Sequence, residues 1–316
     1  MGAQRHPGNW RQVGTAAALL SAFFLGLTPI FGKMAIVRGM PPLGVAAWRT
    51  VLATLLLYAV LRWRRPRWLY IHPLGLAGCL LAGFINGTGS LFYYSALGRI
   101  DASLGQLLYS LYPVFVGLWL WLDNQTPGPV TWLRLALALP AVYLLTAGGG
   151  RGPVDWVGVG MMLVASALYA LHLPVNQRVL YEAPAPTVTL YTLAAMSAVV
   201  VVAYAWQGPW LVPVEPRIGG PVLALTLVTF LSRLTLFMGV KRLGGMQTAL
   251  LGLGELLVTV AFAHWWLGES LTPRQWLGAA LLLVVMLLGR WDRSTGPPKP
   301  GRGGWLRWLE PPSLAA

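Results

Sequence analysis

The sequence predicts an all-α integral membrane protein: ten transmembrane helices in two inverted five-helix repeats, with both termini cytoplasmic. Three observations carry that prediction. The 316 residues are 56% hydrophobic and only 10% charged, against about 25% charged in an ordinary soluble domain, and the mean hydropathy is +0.63. Ten apolar stretches each approach the roughly 20 residues that a helix needs to cross a bilayer. A shift of 143 to 145 residues lays one half of the chain on the other.

The ten stretches lie near 13–35, 43–62, 73–97, 103–122, 131–148, 155–177, 187–206, 219–240, 246–267 and 274–290. Lipid offers no partner to a free backbone N–H or C=O, so each must be a helix. Arg5 and Arg11 ahead of the first stretch mimic a signal peptide, but the stretch is too long for an h-region and no small-residue cleavage site follows. It therefore reads as the first membrane helix. The linkers are short and rich in Pro, Gly and charge, as in Arg38-Gly39-Met40-Pro41-Pro42. Nearly all sixteen tryptophans fall close to predicted helix ends, as interfacial belts require, Trp48 excepted. Ser294 to Gly304 is Pro/Gly-rich and expected to be disordered. Trp305-Leu306-Arg307-Trp308 either touches the membrane surface or is a chance cluster in a floppy tail.

Charge sets the orientation. With the N-terminus inside, the cytoplasmic side holds Arg5, Arg11, Arg62, Arg64, Arg65, Arg67, Arg178, Lys241, Arg242, Arg290, Arg293, Lys299, Arg302 and Arg307. The other side holds Arg38, Arg99, Arg151, Arg217 and Arg274, so the ratio is fourteen to five. The net charge of +14 does not indicate nucleic acid, because the basic residues flank apolar runs instead of forming a polar segment with interleaved aromatics. The single cysteine, Cys79, excludes an intrachain disulfide.

At a shift of 143, Leu91, Arg99, Leu107 and Leu108 fall on Leu234, Arg242, Leu250 and Leu251. At 145, Pro29 and Lys33 fall on Pro174 and Arg178. A near-constant interval over several helices marks an internal repeat. The repeats span 13–148 and 155–290, and a cytoplasmic tail runs from 291 to 316. Five helices per half is an odd number, so the second half inserts upside down. That plan recurs in secondary transporters; a duplication kept only for packing is the alternative.

The stretch Gly245 to Gly289 contains Gly254-Glu255, Gly268-Glu269, Leu271-Thr272 and Gly278, and the first half contains Phe31-Gly32-Lys33, Arg49, Ser95-Ala96-Leu97 and Tyr112-Pro113-Val114. In these the sequence resembles the EamA-type transporters of the drug/metabolite transporter superfamily, over roughly 14–290. Two places depart from that pattern. Leu256 stands where the family usually has proline after the glutamate, and Asp123-Asn124-Gln125-Thr126 stands where Gly-Glu is expected. The resemblance implies a transporter, with export across the inner membrane. It implies no substrate, because family members carry very different ones.

Polar groups are costly in a bilayer, about 2.5–3.5 kcal/mol for a central charge, so polar residues on one helix face point to a cavity or another helix. The eighth stretch carries Thr226, Thr229 and Arg233; the ninth carries Thr248, Gly252, Glu255 and Thr259. Their counterparts 143 residues earlier are Gly83, Asn86 and Ser90 on the third, and Gly105, Tyr109, Tyr112 and Val116 on the fourth. The candidate substrate-binding residues are therefore Asn86, Ser90, Tyr93, Tyr109, Tyr112, Thr229, Arg233, Thr248, Glu255 and Thr259. Apart from Asp155 at the very start of the sixth stretch, Glu255 is the sole acid in the predicted spans. It reads as half of a fixed ion pair with Arg233, as the partner of a substrate amine, or as a proton carrier. The tyrosines read as stacking platforms or as packing, and Asn86 as a substrate contact or a helix–helix hydrogen bond. Lys33, Arg49 and Glu255 are the gate or coupling candidates. Snorkelling is the simpler account of Lys33, and Arg49 lies deeper. His172 and His264 lack partners at metal spacing and read as structural, so no metal and no cofactor are expected.

A membrane enzyme is disfavoured: there is no His-Glu-x-x-His, no Gly-x-Ser-x-Gly and no second intramembrane acid. The lack of a filter-like loop or a ring of like charge weighs against a channel. The sequence thus predicts a secondary active transporter, by its resemblance an exporter, of a small organic metabolite such as an amino acid. It would work by alternating access in the cell inner membrane, with protons as a candidate coupling ion, as a monomer or homodimer. The alternatives are a channel or facilitator, or a membrane enzyme.

Overall fold

The apolar stretches fold into helices in a computed structural model that describes residues 7–100, 102–125, 127–146, 155–207, 215–267, 272–288, 291, 304–306 and 309. The order is α1 (Pro7–Val37), α2 (Pro42–Arg64), α3 (Pro73–Leu97), α4 (Ala102–Tyr109), α5 (Tyr112–Leu122), α6 (Pro129–Thr146), α7 (Trp156–Val179), α8 (Ala185–Trp206), α9 (Pro216–Leu243), α10 (Gly245–Gly252), α11 (Gly254–Leu267) and α12 (Pro273–Leu288). A 3₁₀ turn at Pro66–Leu69 links α2 to α3. Proline opens α1, α2, α3, α6, α9 and α12, where its fixed φ suits the first turn and its missing N–H costs nothing. Six of the helices (α1, α2, α3, α7, α8 and α9) are long and apolar enough to cross a membrane, while α5, α6 and α12 offer shorter apolar runs.

Two predicted spans are not continuous. The fourth breaks into α4 and α5 at Ser110-Leu111, and the ninth into α10 and α11 at Leu253. Pro113 explains the first break, since it removes the N–H that would continue the ladder, and Val114 instead bonds back to Leu111 O at 2.9 Å. The second break has no proline. Gly252 and Gly254 flank it, and glycine's backbone freedom weakens a helix interior. Leu256 N reaches Leu253 O at 3.1 Å, in a tightened turn. The breaks fall at equivalent places under the 143-residue shift.

The strongest helix packing crosses between halves. α1 lies on α9 and α11, α3 on α7 and α8, α2 on α8 and α9, α5 on α7, and α6 on α12. Exchanging the halves converts α1–α9 into α3–α7, α1–α11 into α5–α7, and α2–α9 into α3–α8. It leaves α2–α8 and α6–α12 unchanged. Close approaches repeat as well. A Cβ on Gly14 would lie 2.8 Å from Arg242 Cβ, and one on Gly158 would lie 2.7 Å from Ile100 Cγ2, next to Arg99. Gly158 and Arg242 are the counterparts of Gly14 and Arg99, within one residue of register. Gly78 near the start of α3 meets Val179 at the end of α7, and Gly158 at the start of α7 meets Ile100 beyond the end of α3. α7 therefore runs antiparallel to α3. Short links reverse the chain twice between α1 and α3, so α7 also runs opposite to α1.

The outward surface carries Leu20, Phe84, Leu133, Val202, Leu223 and Leu227, all at least half exposed. A soluble monomer does not present so much apolar surface, and lipid tails cover it without cost. Some buried polar groups are tied down between helices instead. Arg134, fully buried, donates from Nε to Val285 O at 2.9 Å and from Nη1 to Gln247 Oε1, which binds α6 to α12 and α10.

One end of the bundle is closed by a second buried cation. Arg178 donates to Asp123 Oδ2 from Nη2 at 2.6 Å and from Nε at 3.2 Å, with both side chains shielded from solvent. Gln125 donates to the same carboxylate at 3.0 Å. Gln177 donates to Gln125 at 3.2 Å and accepts from Gly245 N at 2.6 Å. The tail joins this cluster: Leu306 N donates to Asp123 Oδ1 at 3.0 Å. Leu306 and Leu309 are buried with Ala82 and Val175. The membrane-surface and floppy-tail expectations are both corrected for Leu306, which packs into protein while Trp305 remains exposed. Most of Ser294 to Gly304, along with Arg307 and Trp308, lies outside the described residues.

Candidate functional site

A cleft in the middle of the bundle is lined by α1 (Leu25, Thr28, Pro29), α2 (Arg49), α3 (Asn86, Gly89, Ser90, Tyr93, Tyr94), α4 (Gln106, Tyr109), α7 (Ala165, Tyr169), α9 (Arg233) and α11 (Glu255). It holds about 500 Å³ of empty space, including what opens to solvent at its mouth. Both halves contribute. Pro29, inside α1, has no N–H to donate to the carbonyl of Leu25 one turn back beside the cleft. The closed Asp123–Arg178 end is remote: Arg178 lies nine residues beyond Tyr169 along α7, about 13 Å of helix.

Glu255 is in the first turn of α11, so the break in the ninth span places its carboxylate at a helix N-terminus, where the peptide dipoles favour negative charge. The side chain is 3% exposed. Its Oε1 accepts from Gln106 Nε2 at 3.3 Å. The direct Glu255–Arg233 ion pair considered from sequence is absent. The ion pairs among the described residues, Arg99–Asp155 at 3.3 Å and Arg178–Asp123 at 2.6 Å, include neither group.

Arg233 turns instead toward α7. Its Nη1 is 3.5 Å from His172 Nε2, and its guanidinium lies 5.4 Å from the centre of the Tyr169 ring. His172 Nδ1 is bonded to the Tyr169 carbonyl. That bond assigns the proton to Nδ1 and leaves Nε2 as the acceptor for Arg233. The sequence reading of His172 as structural thus gains content, since the ring orients a guanidinium at the cleft. Arg49 sits over Tyr94, 4.9 Å from the ring centre, and its Nε has no hydrogen-bond partner.

The walls are aromatic. Tyr109 touches Tyr93, Tyr169 and Tyr112 at centroid distances of 4.9, 5.2 and 6.0 Å, and Tyr169 touches Tyr112 at 5.0 Å. Such edge-on and tilted contacts fix ring orientation.

The cleft brings together Asn86, Ser90, Tyr93, Tyr109, Arg233, Glu255 and Arg49 from the predicted set. Asn86 also donates to Met196 Sδ at 3.5 Å. Four predicted residues do not line it. The Thr229 hydroxyl bonds to Leu225 O at 2.7 Å and that of Thr248 to Gly244 O at 2.9 Å, each on the preceding turn. That of Thr259 lies between Glu255 O at 2.9 Å and Gly26 O at 3.0 Å. Tyr112 donates to Ala249 O at 3.0 Å behind the cleft. The side chains of Lys33 and His264 lie outside the described residues. Gln106, Tyr94 and Tyr169 line the cleft and were not singled out from sequence. Gln106 carried a signal, being a polar residue three positions before Tyr109 on one helix face; the two tyrosines sit in apolar runs and carried none.

A bundle of apolar helices around a polar cleft, with interrupted helices beside it, defines a multi-pass membrane transporter. The chain belongs to the EamA-like transporter family, whose model matches residues 12–147 and again 156–289. It is 25% identical over 274 residues to the uncharacterized transporter YwfM of Bacillus subtilis, covering 85% of this chain and 91% of that one. It is 26% identical over 235 residues to the uncharacterized transporter sll1319 of Synechocystis, covering 69% and 68%. A solved crystal structure superposes with a TM-score of 0.75 over 90% of this chain and 98% of that chain at 16% identity, a likeness of fold alone.

Proposed function

We propose that the protein is a secondary active transporter that exports a small organic metabolite of the amino-acid class by alternating access. One observation carries this reading: both halves line a single cleft that holds a carboxylate, Glu255, and a guanidinium, Arg233, without pairing them to each other. An amine and a carboxylate on one small molecule complement that arrangement. The approximate exchange symmetry supplies a route to a second conformation, because contacts made by one half have ready counterparts in the other.

The bias of basic residues supports cytoplasmic termini, and the resemblance to the family supports a cell inner membrane. The closed Asp123–Arg178 end is then cytoplasmic. Glu255, as the acid of the cleft, is also the group suited to carry a coupling proton. The test is flux in proteoliposomes containing purified protein, screened with amino acids and related metabolites, with and without an imposed proton gradient. Saturable flux of at least one amino acid is expected. Flux that saturates with no metabolite and ignores every gradient overturns the proposal.

A further inference from the structure

The cleft has more positive charge than a zwitterion can balance. Arg49 is 6% exposed and lines it. Its neighbours there are the Tyr94 ring and an unanswered Nε, and the Tyr94 hydroxyl is likewise buried without a partner. Arg233 rests on a neutral imidazole and a tyrosine ring. Among the described residues neither guanidinium is in an ion pair, and Glu255 is the one carboxylate lining the cleft. Two cations face one anion in a medium where an uncompensated charge is expensive. A ring face beneath a guanidinium answers part of that cost, but in-plane N–H donors such as Arg49 Nε, which match carboxylate geometry, are left over.

We propose that the cargo is an acidic amphoteric molecule of net charge −1, with one ammonium group and two carboxylates, as in an acidic amino acid. Glu255 takes the ammonium, Arg233 one carboxylate and Arg49 the other. The count then closes: +2 and −1 from the protein, −1 from the cargo. This inference rests on the transport reading above, and it assigns Arg49 a direct role in cargo selection. The tyrosine walls pack the short carbon chain between the charged ends.

Binding separates the two ideas because it requires no flux. Purified wild-type protein in lipid nanodiscs is titrated with glutamate, succinate, leucine and lysine, and the same solutes are tested for flux in proteoliposomes. Glutamate is expected to bind at least tenfold tighter than the other three. Arg49→Gln is expected to weaken glutamate about tenfold to hundredfold, the scale of one charge-assisted hydrogen-bond pair, while leaving leucine binding within a few-fold. Arg49→Lys, which keeps the charge, controls for folding and should recover part of the affinity. Tighter binding of leucine or lysine overturns the proposal, as does succinate at or above glutamate. So does an Arg49→Gln variant that folds and binds glutamate as wild type does. Saturable flux of a neutral amino acid, with glutamate neither bound nor moved, rejects this inference and leaves the transport reading intact. Failure of every solute to bind or move rejects both.

Discussion

Thr54 Oγ1 on α2 and Ser197 Oγ on α8 lie 3.0 Å apart and exactly one repeat apart in the chain, at a separation of 143 residues. A residue meets its own repeat mate only on the axis that exchanges the two halves. The same interval that aligns the halves in sequence thus marks a point of their approximate two-fold. Introducing cysteine at both positions, with Cys79→Ala to remove the native thiol, should give an intramolecular disulfide under mild oxidation, read as the loss of two free thiols. Persistence of both thiols would argue against this register.

The Glu255 carboxylate accepts a hydrogen bond from Gln106 Nε2 at 3.3 Å. Glu255→Gln keeps the shape and removes the charge, so bound amine loses its counter-ion. Transport is expected to fall at least tenfold, and any proton dependence to disappear, with the elution profile in detergent unchanged. Wild-type flux and pH dependence in the folded variant would remove Glu255 from the mechanism.

The Tyr112 hydroxyl occupies the space that a Cβ on Gly252 would need. Gly252→Ala therefore forces α10 away from α5, at a cost of about 1–3 kcal/mol for overpacking. Adding Tyr112→Phe removes the obstructing oxygen, because the next ring atom is 3.4 Å from that Cβ. Thermal unfolding in detergent should show a lower Tm for the single variant and recovery of most of the difference in the double.

At the closed end, Asp123→Asn leaves Arg178 buried without its counter-charge. Breaking such a pair costs about 3–5 kcal/mol, so the Tm should fall by several degrees. Replacing both, as Asp123→Asn with Arg178→Gln, removes the stranded charge and should cost less than the single change.

Asp155 caps α7, accepting from Val157 N at 2.9 Å and Gly158 N at 3.2 Å. Its carboxyl is held below the ordinary 3.8, chiefly by the Gly158 N–H, against a smaller opposing effect of desolvation, and then by Arg99 and the Val157 N–H. A depressed folded pKa gives stability that is present above the unfolded value, near 3.9, and lost as the pH falls through the folded one. The Tm gap between wild type and Asp155→Ala should therefore be full at pH 7 and narrow as the pH drops below about 4.

The polar stripes read from sequence mixed two kinds of residue. Glu255 and Arg233 are ionic and cannot satisfy themselves within their own helices, so their spacing pointed to the cleft. Thr229 and Thr248 can, by bonding to the carbonyl one turn back, and a stripe that includes them overstates the site. Tyr169 and Tyr94 belong to apolar periodicity that looks the same whether a ring packs in the core or lines a cleft. The ninth-span break was hidden because Leu256 stands where a proline would announce it.

The sequence by itself determined the run of apolar segments, the 143-residue repeat, and Glu255 as the acid deep within the spans, because bilayer thickness and the cost of buried charge act locally along the chain. Only the tertiary structure decided that Glu255 meets Gln106 and not Arg233, that Arg49 joins the cleft without a carboxylate, and that Leu306 returns to Asp123. Those pairings depend on distances between helices far apart in sequence, which packing between the two halves sets.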